Sequence, residues 1–182
     1  MGAMALLKIA RLGHPILLAR ARPVPDPTAP EIRALAADLV ETMRDASGIG
    51  LAAPQVHASL RLIVALPITD REGAREASPL VLVNPELEPL EETLEEAFEG
   101  CLSIPELRGL VPRVRRVGFR ALDLEGRPLE GEAAGLFARI LQHEVDHLDG
   151  ILFPMRMRDL RSLAFESELA RQRAAAAAEE VR

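Results

Sequence analysis

One helix constrains this chain more than any other segment, because it joins an apolar stripe to two regularly spaced histidines. The helix is predicted from about residue 132 to 148, where it meets Gly150, a natural C-terminal residue. The stripe consists of Leu136, Ile140, His143 and His147. Since both histidines lie on the apolar side, they should be buried. A buried histidine needs a partner, which a metal ion would supply.

The two histidines belong to the sequence His143-Glu144-Val145-Asp146-His147, which has the pattern H-E-x-x-H. On a helix, positions i and i+4 lie on one face, so the two imidazoles can bind one metal ion. Glu144 lies on the same helix beside them, where it can carry a proton. The pattern therefore indicates a metal hydrolase. The alternative is an exposed, charged helical turn without a ligand.

A catalytic zinc-type site needs a third protein ligand and an open position for water. The candidates are Cys101, a distant histidine and a carboxylate. Cys101 lies in a glycine-flanked turn, and its thiolate would suit a soft or borderline cation such as Zn²⁺ or Fe²⁺. The rival histidines, His14 and His57, stand next to turn residues, so we expect them at the surface.

Composition narrows the class of protein. The chain has 182 residues, 48% of them hydrophobic, which is enough for one globular domain with its own core. A net charge of −6 argues against broad nucleic-acid binding, and we expect no direct DNA binding. The single cysteine excludes a disulfide within the chain. The sequence contains no run of 18 apolar residues, so no membrane span is predicted.

Other elements follow from local patterns. An extended arm is predicted over residues 6–25, which are interrupted by Gly13, Pro15, Pro23 and Pro25. Thr28 and Glu31 resemble a capping box around Pro30, so a helix should begin there and end near Ser47-Gly48. Predicted strands cover residues 60–66, 80–83 and 114–122, with a polar loop over 69–78. The acidic stretch 86–99 is interpreted as a solvated face, and residues 159–182 as a helical tail.

Gly48-Ile49-Gly50-Leu51-Ala52-Ala53-Pro54-Gln55 follows the first helix. Its glycines allow a ligand to approach the backbone, and Gln55 offers an amide that could donate to an oxyanion. A glycine-rich turn after a helix is usually only a turn. Since G-x-G-x-x-G is absent and no strand precedes the segment, a dinucleotide site is not expected.

Three segments together resemble, in order and spacing, the three motifs of the peptide deformylase family. They are the glycine-rich segment 48–55, Glu99-Gly100-Cys101-Leu102-Ser103, and Gln142-His143-Glu144-Val145-Asp146-His147. The similarity covers about residues 6–165. It implies an α+β fold in which antiparallel β-sheets pack around a central helix that carries H-E-x-x-H, with a further N-terminal and C-terminal helix.

The resemblance also implies an activity, which is removal of the formyl group from the N-terminal formyl-methionine of new polypeptides. By this similarity, Cys101, His143 and His147 hold one metal ion, natively Fe²⁺, with Zn²⁺, Ni²⁺ or Co²⁺ as substitutes. Glu144 accepts a proton from the attacking water and later passes one to the leaving amine. Gln55 and the backbone N–H of Leu102 stabilise the oxyanion.

A substrate-binding set follows from the same resemblance. Its members are Gly48, Ile49, Gly50, Glu99, Gly100, Arg108, Leu136, Arg139 and Ile140. Arg139 departs from the familiar bacterial pattern, since an apolar residue is common one turn before the first histidine. We expect its stem to line the pocket and its guanidinium to reach outward to solvent; the alternative is an altered side-chain preference. Phe98, where an acidic residue often stands, is a second departure.

The expected partners are N-formylmethionyl peptides and nascent chains, with a transient ribosome contact and no membrane. The resemblance predicts one catalytic domain over residues 1–165 and a helical tail over 166–182. A bacterial cytoplasmic location is expected, or an organelle if a transit peptide was removed. Two rival hypotheses stay open: a zincin-type metallopeptidase, and a catalytically weak relative that only binds formyl-peptides.

Overall fold

The computed structural model describes residues 5–68 and 77–180, and most of the predicted loop 69–78 lies outside them. The fold is α+β, as predicted, with three α-helices and eight strands in the described ranges. The helices are α1 (Pro30–Asp45), α2 (Gly135–Leu148) and α3 (Glu166–Glu180). The strands are β1 (Gly50–Ala52), β2 (Leu62–Ala65), β3 (Leu80–Pro89), β4 (Leu94–Cys101), β5 (Ile104–Val114), β6 (Arg116–Leu122), β7 (Pro128–Ala134) and β8 (Ala164–Phe165).

Two antiparallel sheets form the framework. The larger has the order β1-β2-β3-β6-β7, and the smaller has the order β4-β5-β8. Helix α2 contacts strands of both sheets, so it lies at the centre of the molecule. In these strand orders, β1 and β4 are both edge strands. Each reaches the region of α2 that carries the histidines.

Helix α1 confirms the predicted start at Pro30 but not the predicted capping box. Pro30 occupies the first turn, where its missing N–H costs nothing. The predicted capping box is wrong: Ala29 is the N-cap residue and makes no side-chain hydrogen bond. The hydroxyl of Thr28 instead donates to Asp26 Oδ1 at 2.7 Å. This side chain therefore stabilises the turn before the helix and does not cap the helix.

Strand β3 runs past the predicted stop at Asn84-Pro85. The register against β6 shifts between Val83 and Glu86, and Asn84 adopts φ 52°. Asparagine tolerates this left-handed conformation, and a proline fits at a bulge because no ladder hydrogen bond needs its nitrogen. The Asn84 amide also bonds both backbone groups of Val24, which fastens the N-terminal arm to the sheet.

The other predicted strands need smaller corrections. The predicted strand 60–66 is observed as β2, whereas the predicted strand 114–122 is the end of β5 followed by β6. The acidic stretch 86–99 lies on β3 and β4 themselves and is mostly exposed, as interpreted, but Glu99 is buried.

Helix α2 begins at Gly135, three residues later than predicted, because residues 128–134 pair with β6 as β7. It ends as predicted, with Gly150 at φ 74° just beyond it. His147 is buried and His143 is nearly so, and Ile140 lies on the same side in the core. The helix therefore carries both histidines into the interior.

The C-terminal segment forms β8 and then α3, a helix whose described side chains are almost all exposed. The predicted domain boundary at residue 165 coincides with the start of α3, although the division into domain and tail remains a prediction. No helix in the described ranges is long and apolar enough to cross a membrane.

Candidate active site

A cleft between the edge strands β1 and β4 opens onto α2 and contains a cavity of about 270 Å³. That size is near the lower end for ligand pockets, which run to about 300–1,000 Å³. All nine residues of the predicted substrate-binding set line it, together with Gln55, Cys101, Leu102, His143 and Glu144. The fold thus brings segments that are far apart in sequence to one place.

Three potential metal ligands cluster at this cavity: Cys101 and His143 line it, and His147 is buried next to them. Cys101 ends β4, whereas His143 and His147 lie one turn apart on α2. One ligand atom from each residue lies within 4.8 Å of the others, and His147 Nε2 is 3.2 Å from Cys101 Sγ. One sulfur and two imidazole nitrogens fit a soft or borderline divalent cation.

The electrostatics of the cluster favour a thiolate. Burial would raise the pKa of Cys101, but the charge of His147 and a hydrogen bond from His143 lower it well below its usual value. Burial would lower the pKa of His143, but its hydrogen bonds with Cys101 and Glu99 raise it well above its usual value. Thiolate and imidazolium therefore stabilise each other, and a cation bound by the sulfur and the imidazole nitrogen would replace the proton between them.

Glu99 orients His143. Its Oε2 lies 2.9 Å from His143 Nδ1. Burial would raise the pKa of Glu99, but hydrogen bonds from His143 and Arg113 lower it to about 2, so the carboxylate can only accept. His143 Nδ1 must then carry the proton, which leaves Nε2 to act as the ligand atom.

The structure contradicts the expectation that the guanidinium of Arg139 reaches outward to solvent. The residue is only 9% exposed. Its guanidinium donates to Glu99 Oε1 at 2.9 Å and to the backbone oxygens of Val111 and Glu95. Arg139 lines the cavity, but its charge is bound by one carboxylate and two backbone oxygens. A guanidinium with three such hydrogen-bond partners needs no solvent.

Glu144 is buried beside the cluster, and its Oε2 has no hydrogen-bond partner among the described residues. Burial raises its pKa to about 7, and the positive charges of His143 and His147 only partly oppose the rise. A carboxyl group that titrates near neutrality can both accept and return a proton at physiological pH.

Gln55 lies in the short 3₁₀ helix Ala53–Val56 after β1, where it is buried. Its Oε1 accepts a hydrogen bond from the Ala52 N–H at 2.9 Å, which fixes the orientation of the amide. The opposite end, Nε2, therefore faces Cys101 Sγ at 3.5 Å and Ser103 Oγ at 3.2 Å. A donor is thus aimed at the cluster, as the sequence suggested.

Several residues around the site were missed. Arg113 donates to both oxygens of Glu99 and also to Asp146, with all three buried. Ser103 is buried and its N–H points to Cys101 Sγ at 3.4 Å. Among these residues, Asp146 could have been noticed in the sequence, because it lies inside the H-E-x-x-H motif next to His147. A carboxylate buried there needs a partner of opposite charge.

The rival histidines lie where they were expected. His14 and His57 are both exposed, and their rings contact each other edge to face, with 4.7 Å between the ring centroids. Neither belongs to the cluster found in the described part of the chain, which consists of Cys101, His143 and His147. The third potential ligand is therefore Cys101 rather than a histidine.

The cleft contains a cluster of one sulfur and two imidazoles beside a carboxyl group with a pKa of about 7. This combination defines a metal-dependent hydrolase. Comparison with known proteins narrows this class. The family model described as polypeptide deformylase matches residues 6–162. The chain belongs to this family, and it is a hydrolase that removes the formyl group from N-formylmethionine peptides, including nascent chains.

Individual relatives agree. Peptide deformylase 1 of Bordetella pertussis is 45% identical over 163 residues, which are 88% of this chain and 93% of that protein. Peptide deformylase 1 of Nitrosomonas europaea is 44% identical with the same coverage. The Met-Ala-Ser-bound crystal structure of the class I type b enzyme from Acinetobacter baumannii matches with a TM-score of 0.78 and 37% identity, covering 85% of this chain and 100% of that one.

Proposed function

We propose that Cys101, His143 and His147 bind the catalytic metal ion of this deformylase and that Glu144 transfers the protons. The observation that carries the proposal is the cluster itself: three potential ligand atoms lie within 4.8 Å of one another beside a buried carboxyl group. A bound divalent cation supplies the Lewis acidity that brings the pKa of a water molecule toward about 7.

Fe²⁺ is the proposed native ion, and Zn²⁺, Ni²⁺ and Co²⁺ are proposed substitutes. A thiolate with two imidazoles suits all of these cations, whereas Mg²⁺ and Ca²⁺ prefer oxygen ligands. Metal analysis of freshly purified protein that has been kept without oxygen tests the identity of the ion directly.

Glu144 has the position and the pKa for two proton transfers. In its ionised form it accepts a proton from the water that attacks the formyl carbon. When the C–N bond breaks, it gives a proton to the leaving amine of the methionine. Its pKa of about 7 lets one carboxyl group do both without a large energetic penalty in either direction.

Gln55 and the backbone N–H of Leu102 are the proposed donors to the oxyanion that forms on the formyl oxygen. The Gln55 amide is already turned toward the cluster, and Leu102 lies in the turn between β4 and β5, against the same cavity. Donors that are fixed before the reaction stabilise developing charge without reorganisation.

Gln55→Ala should lower kcat by about 10²–10³ and change KM much less, since the lost donor acts on the transition state. Steady-state formate release measures both constants. Gln142→Ala is the matched control, because that amide bonds the Val114 backbone outside the cavity. Equal kcat for the Gln55 variant and the wild type would remove Gln55 from the mechanism.

The peptide substrate is proposed to lie along the cleft between β1 and β4. The glycines Gly48, Gly50 and Gly100 line it, and their missing side chains let Leu102, Glu144 and Arg108, respectively, pack close to the backbone. Ile49, Leu136 and Ile140 provide the apolar contacts for the methionine side chain. The Acinetobacter baumannii enzyme was solved with Met-Ala-Ser bound, which supports a peptide as the ligand.

Gly50→Ala should destabilise the metal-free protein by about 1–3 kcal/mol, because overpacking forces neighbours to move. The new Cβ would overlap the carboxyl group of Glu144, so turnover should fall as well. Urea unfolding and formate release provide the two readouts. In the control Gly118→Ala, the nearest atom is Cγ of the exposed Glu88 at 3.1 Å, which can move aside. Identical behaviour of both variants would argue against the tight approach of Gly50 to Glu144.

One assay tests the proposal as a whole. Anaerobic, Fe²⁺-loaded protein is given formyl-Met-Ala-Ser, and formate is measured alongside metal content. We expect formate without cleavage of the internal peptide bonds, and activity that follows occupancy by the metal ion. Activity in protein shown to be free of metal would contradict the proposed centre.

We also propose a transient ribosome contact in the cytoplasm, where nascent formyl-peptides emerge. Helix α3 is the candidate surface because it is exposed at the end of the described chain. Two of its cations already have partners, since Arg171 pairs with Glu168 and Arg173 lies over the Phe98 ring. Removal of residues 166–182 should weaken co-sedimentation with ribosomes at low salt, and unchanged binding would exclude the tail.

A further inference from the structure

Arg139 makes contacts that the family reaction does not require. It lies on α2, one turn before His143, yet its acceptors are on the two strands of the smaller sheet. Nη2 donates to the Glu95 backbone oxygen of β4 at 2.6 Å, and Nη1 donates to the Val111 backbone oxygen of β5 at 2.8 Å. One buried side chain therefore joins the central helix to the β4–β5 hairpin.

The same guanidinium completes the hydrogen bonding of Glu99. Glu99 Oε1 accepts from Arg113 Nε and Arg139 Nη1, each at 2.9 Å. Glu99 Oε2 accepts from Arg113 Nη2 at 3.0 Å and from His143 Nδ1 at 2.9 Å. Both carboxylate oxygens thus have two donors, which fixes the carboxylate in the orientation that aims His143.

The location of these contacts matters because the proposed ligands come from two separate elements. Cys101 lies two residues after Glu99 on β4, and the two histidines lie on α2. A cation binds more tightly when both elements are already held at ligand distance, because less ordering is then needed on binding. Arg139 bridges the two elements within one helical turn of His143.

We infer that Arg139 is a positioning residue that holds the β4–β5 hairpin against α2 and thereby preorganises the metal ligands Cys101 and His143. This inference rests on the ligand roles proposed above. Arg139 acts through Glu99 and the strand backbone and does not touch the reacting atoms. Its stem still borders the methionine pocket, but its charge serves the ligand framework.

Arginine suits this position better than lysine. Three acceptors lie around one planar group, and a guanidinium can donate to all three at once, whereas an ammonium on a flexible stem cannot match that geometry. Arg139→Met keeps a stem of similar length and removes every donor. Arg139→Lys keeps the charge and part of the bonding, so it should show an intermediate effect.

The test is Co²⁺ binding to metal-free protein, followed by the thiolate-to-metal absorption band and by competition with a chelator. Arg139→Met should weaken Co²⁺ affinity by about 10-fold, the lower end of the roughly 10–100-fold cost of losing a direct partner of a metal ligand, because Arg139 acts through Glu99. Arg61→Met is the matched control. Arg61 is 15% exposed and bonds Asp149 and the Leu148 backbone, so its loss should lower stability in urea but leave Co²⁺ affinity unchanged.

Several outcomes separate this inference from the proposed ligand set. If the band is lost in Cys101→Ser but Arg139→Met binds Co²⁺ as the wild type does, the inference about Arg139 is overturned and the ligand set stands. If Arg139→Met changes only the preference among formyl-Met, formyl-Leu and acidic formyl-peptides, Arg139 is a pocket wall instead. If the wild type shows no thiolate band, both ideas fall. Should Arg139→Met not fold, full affinity in Arg139→Lys would still overturn the inference.

Discussion

Glu144→Gln should lower kcat by about 10²–10⁴, the usual contribution of a positioned general acid–base group, and should leave metal content unchanged. The amide has the same shape as the carboxyl group, so packing around the buried side chain is preserved. What disappears is the capacity to accept and return a proton, which the pKa of about 7 makes available in the wild type. Formate release and metal analysis on the same preparation provide the two measurements.

Glu132→Gln is the matched control for this prediction. Glu132 lies on β7, where it is exposed and pairs with Arg116 at the surface. The substitution makes the same change of carboxyl to amide at the surface, so a loss confined to the Glu144 variant must be local. Turnover within a few-fold of the wild type in Glu144→Gln would assign the proton transfer to another group.

Cys101→Ser should weaken metal binding by more than the roughly 10–100-fold that the loss of an outer partner costs, because a ligand itself is removed. A hydroxyl is also a harder and much less acidic donor than a thiol, so it matches Fe²⁺ poorly. The thiolate-to-metal band of the Co²⁺ form should vanish, and activity should fall with occupancy. Spectral titration and competition with a chelator measure these effects.

Ser103→Ala is a useful comparison for the cysteine substitution. Ser103 is buried, and its hydroxyl accepts a hydrogen bond from Gln55 at 3.2 Å, but Ser103 is not one of the proposed ligands. This variant should therefore keep its metal ion even if turnover declines. Full occupancy with an unaltered spectrum in Cys101→Ser would mean that the third ligand lies elsewhere.

The two variants separate functions that the cluster combines. In one, the metal ion stays and the proton carrier is lost; in the other, the proton carrier stays and the metal ion is lost. Because Glu144 and Cys101 both border the same cavity, activity alone could not distinguish them. Metal occupancy can, since only Cys101 is a proposed ligand.

Local signals in the sequence were enough for the helices. Helix α2 was predicted from a stripe at a period of 3.6 residues and from Gly150 at its end, and both are properties of adjacent residues. The spacing of His143 and His147 then placed two imidazoles on one face without any tertiary information. The joint presence of the three motifs led to the family, which the comparisons confirm.

The pairing of strands into sheets could be predicted much less well from the sequence than the helices. Strands β4 and β7 were missed, as were the short strands β1 and β8, and β5 was predicted only at its end. The polar and glycine-rich residues of β4, β5 and β7 show little alternation, and the partner strands decide their conformation. Asn84-Pro85 was interpreted as a strand end, although a bulge carries β3 through it. A bulge depends on the facing strand, which lies far away in the sequence.

The buried charges show most clearly where reasoning from local sequence stops. Glu99, Arg113, Arg139 and Asp146 have the composition of a solvated surface, and for Arg139 an outward guanidinium was expected. Burying a charge is favourable only when an opposite charge and hydrogen-bond partners converge on it. That convergence requires β4, β5 and α2 to meet. The sequence thus determines which groups can bind a metal ion and move a proton, whereas the packing of two sheets on one helix determines how those groups are aimed.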